Sequence, residues 1–404
     1  MANNNLSSAK NAKNDEFYTQ FGDIQKEIQA YLDYNSDAFR NKVVYCNCDD
    51  PFESNFFRYF VLNFNKLGIK QLITTSYKPS PVANMELALY GDDKTLAKSK
   101  GRPKINANKF IINEVHDIDG DGEFNLKDVA KQLKANKHNE WTPLEKEGDF
   151  RSPECVKLLE QSDIVVTNPP FSLFKEYVKQ LFDYNKKFVI IGNKNSVTYK
   201  EIFPLIKDNK MWSGKTEWSG GLWFVTMDGT DVDKVVDGVN MKNVSSVWFT
   251  NLDHGRRHQP LPLMTMEENL KYSKHKEIKG KKAYDKYDNY DAIEVPFTDS
   301  IPSDYNGVMG VPITFLDKYN PDQFEILGAT QRGCHDEVPD TKKYDEYWEV
   351  RQNGQKTGSS GGKTNENANL VGNDEKKNYF INKEGRVIQS AYQRIFIRHK
   401  KKTK

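Results

Sequence analysis

Nine consecutive residues, Asp163-Ile164-Val165-Val166-Thr167-Asn168-Pro169-Pro170-Phe171, constrain this chain more than any other stretch. Ile164, Val165 and Val166 are apolar and β-branched without alternation. That is the pattern of a strand buried on both faces, as in a parallel sheet covered by helices. Pro169 and Pro170 end the strand, because neither has an N–H for the ladder and both hold φ near about −65°. Asn168 is thereby left at the carboxyl end of the strand, the edge of an open α/β sheet where ligands bind. The plainer alternative is a proline-stopped strand followed by a turn; the buried run ahead of the prolines favours a site.

The chemistry suited to that edge is methyl transfer to an amide-like or aromatic NH2 group. Such a nitrogen is a weak nucleophile, because its lone pair is delocalised. The Asn168 side-chain oxygen and the Pro169 carbonyl are two acceptors that can draw on its two hydrogens and release the lone pair. Phe171 offers a face on which a flat group stacks.

A chain of 404 residues has room for two or three domains and a large core. Its net charge of +2 gives no global field for a polyanion, so a nucleic-acid surface has to come from local clustering. The four cysteines (Cys46, Cys48, Cys155, Cys334) are too few and too scattered for a disulfide scaffold and suggest a reducing, cytoplasmic setting. Cys46 and Cys48 lack the paired spacing of a zinc site, and no metal is expected. No stretch reads as a signal peptide or reaches transmembrane length, so a soluble protein without a membrane partner is expected.

Taken in order, Val43-Val44-Tyr45-Cys46-Asn47-Cys48 reads as a first core strand, Asp49-Asp50-Pro51 as a turn, and residues 54–68 as a helix. With the strand at residues 71–75 they make a βαβ unit. The turn has carboxylates where nucleotide-binding turns have glycines; they suit the ammonium of a methionyl group, or merely cap the turn. Residues 78–147 look like an insertion. It contains a calcium-loop look-alike, with Asp117, Asp119 and Asp121 at positions 1, 3 and 5 and Gly122 at 6, but Asp128 at position 12 where a bidentate Glu is usual. The segment ahead of it, Phe110-Ile111-Ile112, looks more like a strand than a helix, and an Asp/Gly turn or a polar hairpin is the default reading there. Residues 173–184 read as an amphipathic helix, 187–192 as a buried strand and 199–206 as a helix. Residues 212–227 and 244–250 read as antiparallel strands that close a domain at about residue 250. Beyond it lie a basic cluster, His254-Gly255-Arg256-Arg257-His258, and a segment (271–290) that interleaves Lys with tyrosines. Basic residues mixed with aromatics suit nucleic acid, although a charge run is usually a solvated face. Strands are expected at residues 311–316, 324–328 and 395–397, and a flexible Gly/Ser/Asn-rich loop at 358–373.

With these stretches identified, the sequence resembles the EcoRI-type adenine-specific DNA methyltransferases. The likeness is close along residues 13–19, 46–51, 148–152, 163–174 and 188–203, and looser through 310–328 and the last strand. It implies an α/β fold, a Rossmann-like S-adenosylmethionine-dependent methyltransferase sheet with helices on both faces, plus a C-terminal target-recognition region. The implied domains are 1–250 (catalytic, with the insertion at about 78–147) and 251–404 (recognition of DNA). Residue by residue, Tyr18 and Thr19 match the segment that backs the methionyl part of the cofactor, and Asp49, Asp50 and Pro51 match the first turn. Asp149, followed by Phe150, matches the acidic residue that accepts from the cofactor's adenine amino group. Asn168, Pro169, Pro170 and Phe171 match the catalytic tetrapeptide, and Arg256, Arg257 and Arg332 are candidates for DNA contact. The substrate implied is a flipped adenine in double-stranded DNA. A restriction endonuclease acting on the same site, without a stable complex, is the implied counterpart. The sequence departs from the pattern in two places. The first turn has no Gly-x-Gly, and the second strand ends in Thr74-Thr75-Ser76-Tyr77, where an acid commonly holds the ribose.

Two other readings compete. One is a methyltransferase for RNA or a glutamine side chain, although glutamine-directed enzymes favour Tyr where this chain has Phe171. The other is a non-catalytic DNA- or calcium-binding protein on a methyltransferase scaffold, which has no need of Asn168 or Asp149.

Overall fold

A computed structural model describes residues 18–48, 54–77, 107–118, 120, 124–135, 138–225, 232–236, 238–330, 338, 341–359, 365–372, 377–391 and 393–401. The chain divides into two compact units: Met1–Ser196 with Met211–Gly255, and Val197–Lys210 with Arg256–Lys404.

The first unit begins with β1 (Tyr18–Thr19), α1 (Phe21–Tyr34), β2 (Val43–Cys46), α2 (Asn55–Leu62), α3 (Phe64–Leu67) and β3 (Gln71–Thr75). Next come β4 (Asn108–Ile112), α4 (Leu126–Ala135), β5 (Glu140–Pro143), α5 (Pro153–Gln161), β6 (Ile164–Thr167), α6 (Phe174–Asp183) and β7 (Lys187–Asn193). It closes with β8 (Trp212–Ser213), β9 (Leu222–Val225), β10 (Lys234–Val236), β11 (Val239–Val244) and β12 (Ser246–Thr250). Eight of these strands form the main sheet in the order β5-β4-β3-β2-β6-β7-β12-β8. The central four, β3, β2, β6 and β7, run parallel. The pairs at either edge are antiparallel. A smaller sheet, β1-β9-β11-β10, stands beside it.

Two adjacent residues of β12 show how the sheet is covered, since neighbours on a strand point to opposite faces. Trp248 meets Phe56 of α2 with ring centroids 6.0 Å apart, whereas Phe249 meets Phe174 of α6 at 5.2 Å. The register carries each face across the strands. Ile191, Val189, Val166, Ile164, Val44 and Leu72 share one buried cluster with Trp248 and the α2 aromatics. On the other face Phe188 packs against Phe182 of α6, and Gly192 leaves room for the Phe174 ring, which a Cβ there would meet at 2.4 Å. Handedness accounts for the division. β2→β3 and β6→β7 step in opposite directions from the β2/β6 boundary, so right-handed crossovers put α2 and α6 on opposite faces.

Three expectations change. The described part of residues 78–147 is no detached insertion: β4 and β5 extend the main sheet, with Phe110 and Ile112 buried. The helix expected over 54–68 breaks at Asn63 (φ −104°, ψ 11°) into α2 and α3, and Gly68 in the left-handed region (φ 64°) ends α3. The units divide after Gly255, near the boundary read at about 250, and the chain also makes one earlier excursion. Val197–Lys210, with the short helix α7 (Phe203–Lys207), belongs to the second unit.

That unit also holds α8 (Met266–Tyr272), opened by a capping box between Thr265 and Glu268. β13 (Ala292–Glu294), β14 (Val308–Pro312), β15 (Phe324–Ala329), β16 (Trp348–Val350), β17 (Asn369–Val371), β18 (Tyr379–Ile381), β19 (Val387–Ser390) and β20 (Arg394–His399) follow. They form two four-stranded sheets, β13-β14-β20-β15 and β16-β18-β19-β17. The strand expected to reach residue 316 stops at Pro312 and continues as 3-10 turns through Ile313–Lys318. Among the described residues no helix is long and apolar enough to cross a membrane.

Candidate active site

β2 and β6 lie side by side and parallel, and the connections from them lead away in opposite directions. Their carboxyl ends therefore mark the switch point at which an open α/β sheet has its crevice. Asn47, the residue after β2, ties that edge together. Its backbone oxygen accepts from the Thr167 hydroxyl of β6, and its side-chain oxygen accepts from the Tyr177 hydroxyl of α6. Asn47 is 2% and Tyr177 0% exposed. Asn168, at 8% exposure, comes immediately after Thr167. Pro169 is buried and Pro170 half-buried. The Pro170 carbonyl accepts from Leu173 N at 3.0 Å, starting the 3-10 turn Phe171–Leu173 that runs into α6. Phe171 is half-buried and rests partly on the core cluster of the α2 face.

Cys48 follows Asn47 in the left-handed region, at φ 64°. The expected absence of glycines from this turn thus does not mean an ordinary backbone: a cysteine takes a conformation that glycine adopts at no steric cost. Asp49, Asp50 and Pro51 lie outside the described residues. The chain resumes at Ser54, whose hydroxyl caps α2 by accepting from Phe56 N (3.0 Å) and Phe57 N (3.3 Å). Asn55, in the first turn of α2, donates to the Thr19 carbonyl at 2.7 Å. β1, and with it Tyr18 and Thr19, is thereby brought to the helix that follows the β2 turn. Thr19 is 5% exposed, and its hydroxyl has no hydrogen-bond partner among the described residues.

Asp149 enters from a turn that only glycine can open. Gly148 has φ 77°, and a Cβ there would stand 2.0 Å from the Ser76 carbonyl just beyond β3. Arg151 engages the Asp149 carboxylate from three donors: its backbone N at 2.8 Å, Nε at 2.9 Å and Nη2 at 2.7 Å. Its Nη1 reaches Glu176 of α6 at 2.8 Å. The hydrogen bonds from Arg151 hold the Asp149 carboxyl below the usual carboxylate range against the opposing effect of burial. Phe150, also expected at the cofactor, has partners within the protein. Its ring is 4% exposed and packs edge-on against Tyr177 at 5.0 Å, while its carbonyl accepts from Gln180 at 3.2 Å. Phe150 thus fastens the Asp149 turn to α6.

Reading the sequence missed Asn47, Arg151 and Tyr177 in these roles. Tyr177 passed as one apolar position of an amphipathic helix. The signal it carries is the phenol oxygen, which needs a partner once the ring is buried.

The cationic candidates are placed elsewhere. Arg256 and Arg257 lie in the 3-10 turn Gly255–His258. Arg256 pairs with Asp317 at 2.9 Å, both side chains being largely covered. Arg257 is 7% exposed and donates to Asn209. Both guanidiniums serve contacts inside the second unit. Arg332 lies outside the described residues, as do Asp119, Asp121 and Gly122 of the calcium look-alike. The two oxygens of Asp128 accept from Ile118 N (3.0 Å) and Asn125 N (2.9 Å), the latter closing the start of α4. Among the described residues no group of three or more His, Cys, Asp or Glu side chains is arranged to hold a metal.

The model of one family, adenine-specific methyltransferase EcoRI, matches residues 5–400. The chain is 44% identical over 332 residues to the type II methyltransferase M.EcoRI of Escherichia coli, covering 80% of this chain and 88% of that one. It is 36% identical over 326 residues to the type II methyltransferase M.MpnI of Mycoplasma pneumoniae, covering 79% and 83%. No solved structure matches it. The match spans the strand ends, the Asn-Pro-Pro-Phe turn and the second unit alike, and the chain belongs to the EcoRI family of adenine-specific methyltransferases.

Proposed function

We propose that this adenine-specific DNA methyltransferase uses S-adenosylmethionine as donor and carries out the transfer at the shared carboxyl edge of β2 and β6. The observation that carries this reading is the placement of Asn168. It is a nearly buried amide that directly follows a buried strand, at the switch point of a sheet whose central strands are parallel. That strand order, with helices on both faces, supports a Rossmann-like reading of the first unit.

The residues at this edge fit the cofactor. The Asp149 carboxylate has about four lone-pair sites, of which Arg151 takes three, leaving one acceptor for an amino group. The Thr19 hydroxyl is a buried polar group with no partner among the described residues, and the carboxylates of Asp49 and Asp50 suit an ammonium. When bound, the cofactor supplies an electrophilic methyl on a sulfonium. A duplex adenine has to leave the stack to reach such a site. Phe171 offers its ring to the extruded base. Asn168 Oδ1 and the Pro169 carbonyl accept from the amino hydrogens, which favours the tetrahedral nitrogen of the transition state over the planar ground state.

The second unit is read as the DNA target-recognition region. The relatives are named type II methyltransferases. By that analogy the chain is the modification enzyme of a restriction-modification system, whose nuclease acts on the same site without a lasting complex.

The test is incubation of the purified chain with labelled S-adenosylmethionine and duplex DNA, followed by digestion to nucleosides. Label in N6-methyladenine is the expected result. Label appearing in RNA or in a glutamine-containing peptide, and absent from DNA, overturns the reading.

A further inference from the structure

We infer that the DNA backbone is held by a belt of lysines on the second unit, residues 271–286, and not by Arg256 and Arg257; the inference rests on the DNA methyltransferase reading above. The segment carries seven lysines against two carboxylates, Glu277 and Asp285, in a chain whose net charge is only +2. Lys281 pairs with Asp285, while Lys274 and His275 share Asp299. Lys271, Lys276, Lys279, Lys282 and Lys286 are exposed and have no ion-pair partner among the described residues. A solvated face on a folded protein ordinarily intersperses both signs; this one concentrates a single sign.

The belt is also fixed in place. Of the tyrosines that alternate with the lysines, Tyr272 is 61% exposed beside Lys271, whereas Tyr284 and Tyr287 turn inward. Tyr284 is buried and donates to the Ser300 carbonyl at 2.6 Å, and Tyr287 is buried and donates to Glu294. Ile278 is 2% exposed, His275 stacks on Phe297 at 3.7 Å, and Gly280 N donates to the Leu270 carbonyl at 2.8 Å. With Tyr284, Tyr287 and Ile278 turned inward, the segment presents its ammonium groups, and the Tyr272 ring, on an ordered backbone. Ammonium groups act as point charges and bind phosphate without reading sequence. The partner that fits is the phosphodiester backbone of duplex DNA, and the role is positioning on the duplex.

The experiment compares the wild-type chain with a variant carrying Lys276→Gln, Lys279→Gln, Lys282→Gln and Lys286→Gln, and with a second carrying Lys→Arg at the same four positions. Duplex affinity is measured from about 50 to 200 mM salt, with S-adenosylmethionine binding as the check on folding. Each phosphate contact contributes about 0.9 to the slope of log affinity against log salt. If all four make contact, the affinity lost across that range shrinks by roughly a hundredfold in the Gln variant. The Arg variant keeps the wild-type slope, and the order of preference among DNA sequences stays the same in all three. An unchanged slope in a Gln variant that still binds S-adenosylmethionine overturns the assignment, as does an equal change in slope in the Arg variant. Absence of salt-dependent duplex binding by the wild-type chain is a separate failure, of the DNA methyltransferase reading itself.

Discussion

The hydroxyl of Tyr177 on α6 donates to the side-chain oxygen of Asn47 at the end of β2, and both residues are almost wholly enclosed. Through Tyr177 one helix meets both the end of β2 and the turn that carries Asp149. The Phe150 ring packs on Tyr177 beside Asp149, and Asn47 is bonded to Thr167, the residue before Asn168. Tyr177→Phe leaves a buried acceptor without its donor, a loss of about 1–3 kcal/mol. The expected outcome is a lower denaturation midpoint and a methyl-transfer rate that falls more than cofactor affinity does. Urea titration and single-turnover kinetics check both, and a variant with unchanged single-turnover rate rules out the positioning role.

Asn168→Ala is expected to lower turnover by roughly a hundredfold or more, the scale of losing one group that bonds to the transition state. Affinity for cofactor and for DNA stays near that of the wild type, because the amide acts where the nitrogen changes geometry. Single-turnover methylation close to the wild-type rate would refute the mechanism.

Phe171→Ala bears on the base before chemistry. Stacking of a base on an aromatic ring is worth roughly 1–3 kcal/mol, so the population of extruded base drops along with turnover. The fluorescence of 2-aminopurine placed at the target position reads that population. If the signal does not change, Phe171 serves the core cluster it touches and not the base.

A pH dependence follows from the Asp149–Arg151 pair. Asp149 is held below its ordinary value chiefly by the hydrogen bonds from Arg151. A depressed carboxyl contributes fully above its unfolded value, about 3.9, and the contribution disappears as pH falls through the lower folded value. Cofactor binding that depends on the Asp149 carboxylate therefore keeps its strength below pH 4 for as long as the chain stays folded. Arg151→Ala removes the main cause and leaves burial, which raises the pKa, so the acid limb of S-adenosylmethionine affinity moves upward. Calorimetric titrations of both proteins across the acid range decide the matter: a limb in the same place for both detaches Asp149 from the cofactor.

Arg257 provides the contrast with the lysine belt. Its guanidinium is 7% exposed and bonded to Asn209. Arg257→Ala is expected to destabilise the second unit by about 1–3 kcal/mol and to leave the salt slope of DNA binding unchanged. Thermal melts and the same salt series measure the two effects separately, and a reduced slope with unchanged stability would return this residue to the DNA surface.

The sequence by itself determined the strands that bury both faces and the residue that terminates the central one. Ile164 to Val166 leave no solvent face, and two prolines admit no continuation, so Asn168 falls at a sheet edge whatever surrounds it. The ordered motifs from residue 13 to residue 203 likewise carried the family resemblance. Local pattern does not contain partnership across long separations. Thr167 and Asn47 are 120 residues apart, and Tyr177 and Asn47 are 130. In the stretch that looked like an insertion residues 110–112 read as strand-like, but β5 and the pairing of both strands with the main sheet were not legible, because strand pairing is a property of the neighbour as much as of the strand. The basic cluster at 254–258 and the lysines of 271–286 read alike as charge, and burial separated them. Asp317 and Asn209 come from elsewhere in the chain to take up the two arginines, while Tyr284 and Tyr287 beside the lysines turn inward and five ammonium groups keep no ion-pair partner among the described residues. Charge is fixed residue by residue in the sequence; whether it meets a partner or solvent is fixed by tertiary packing.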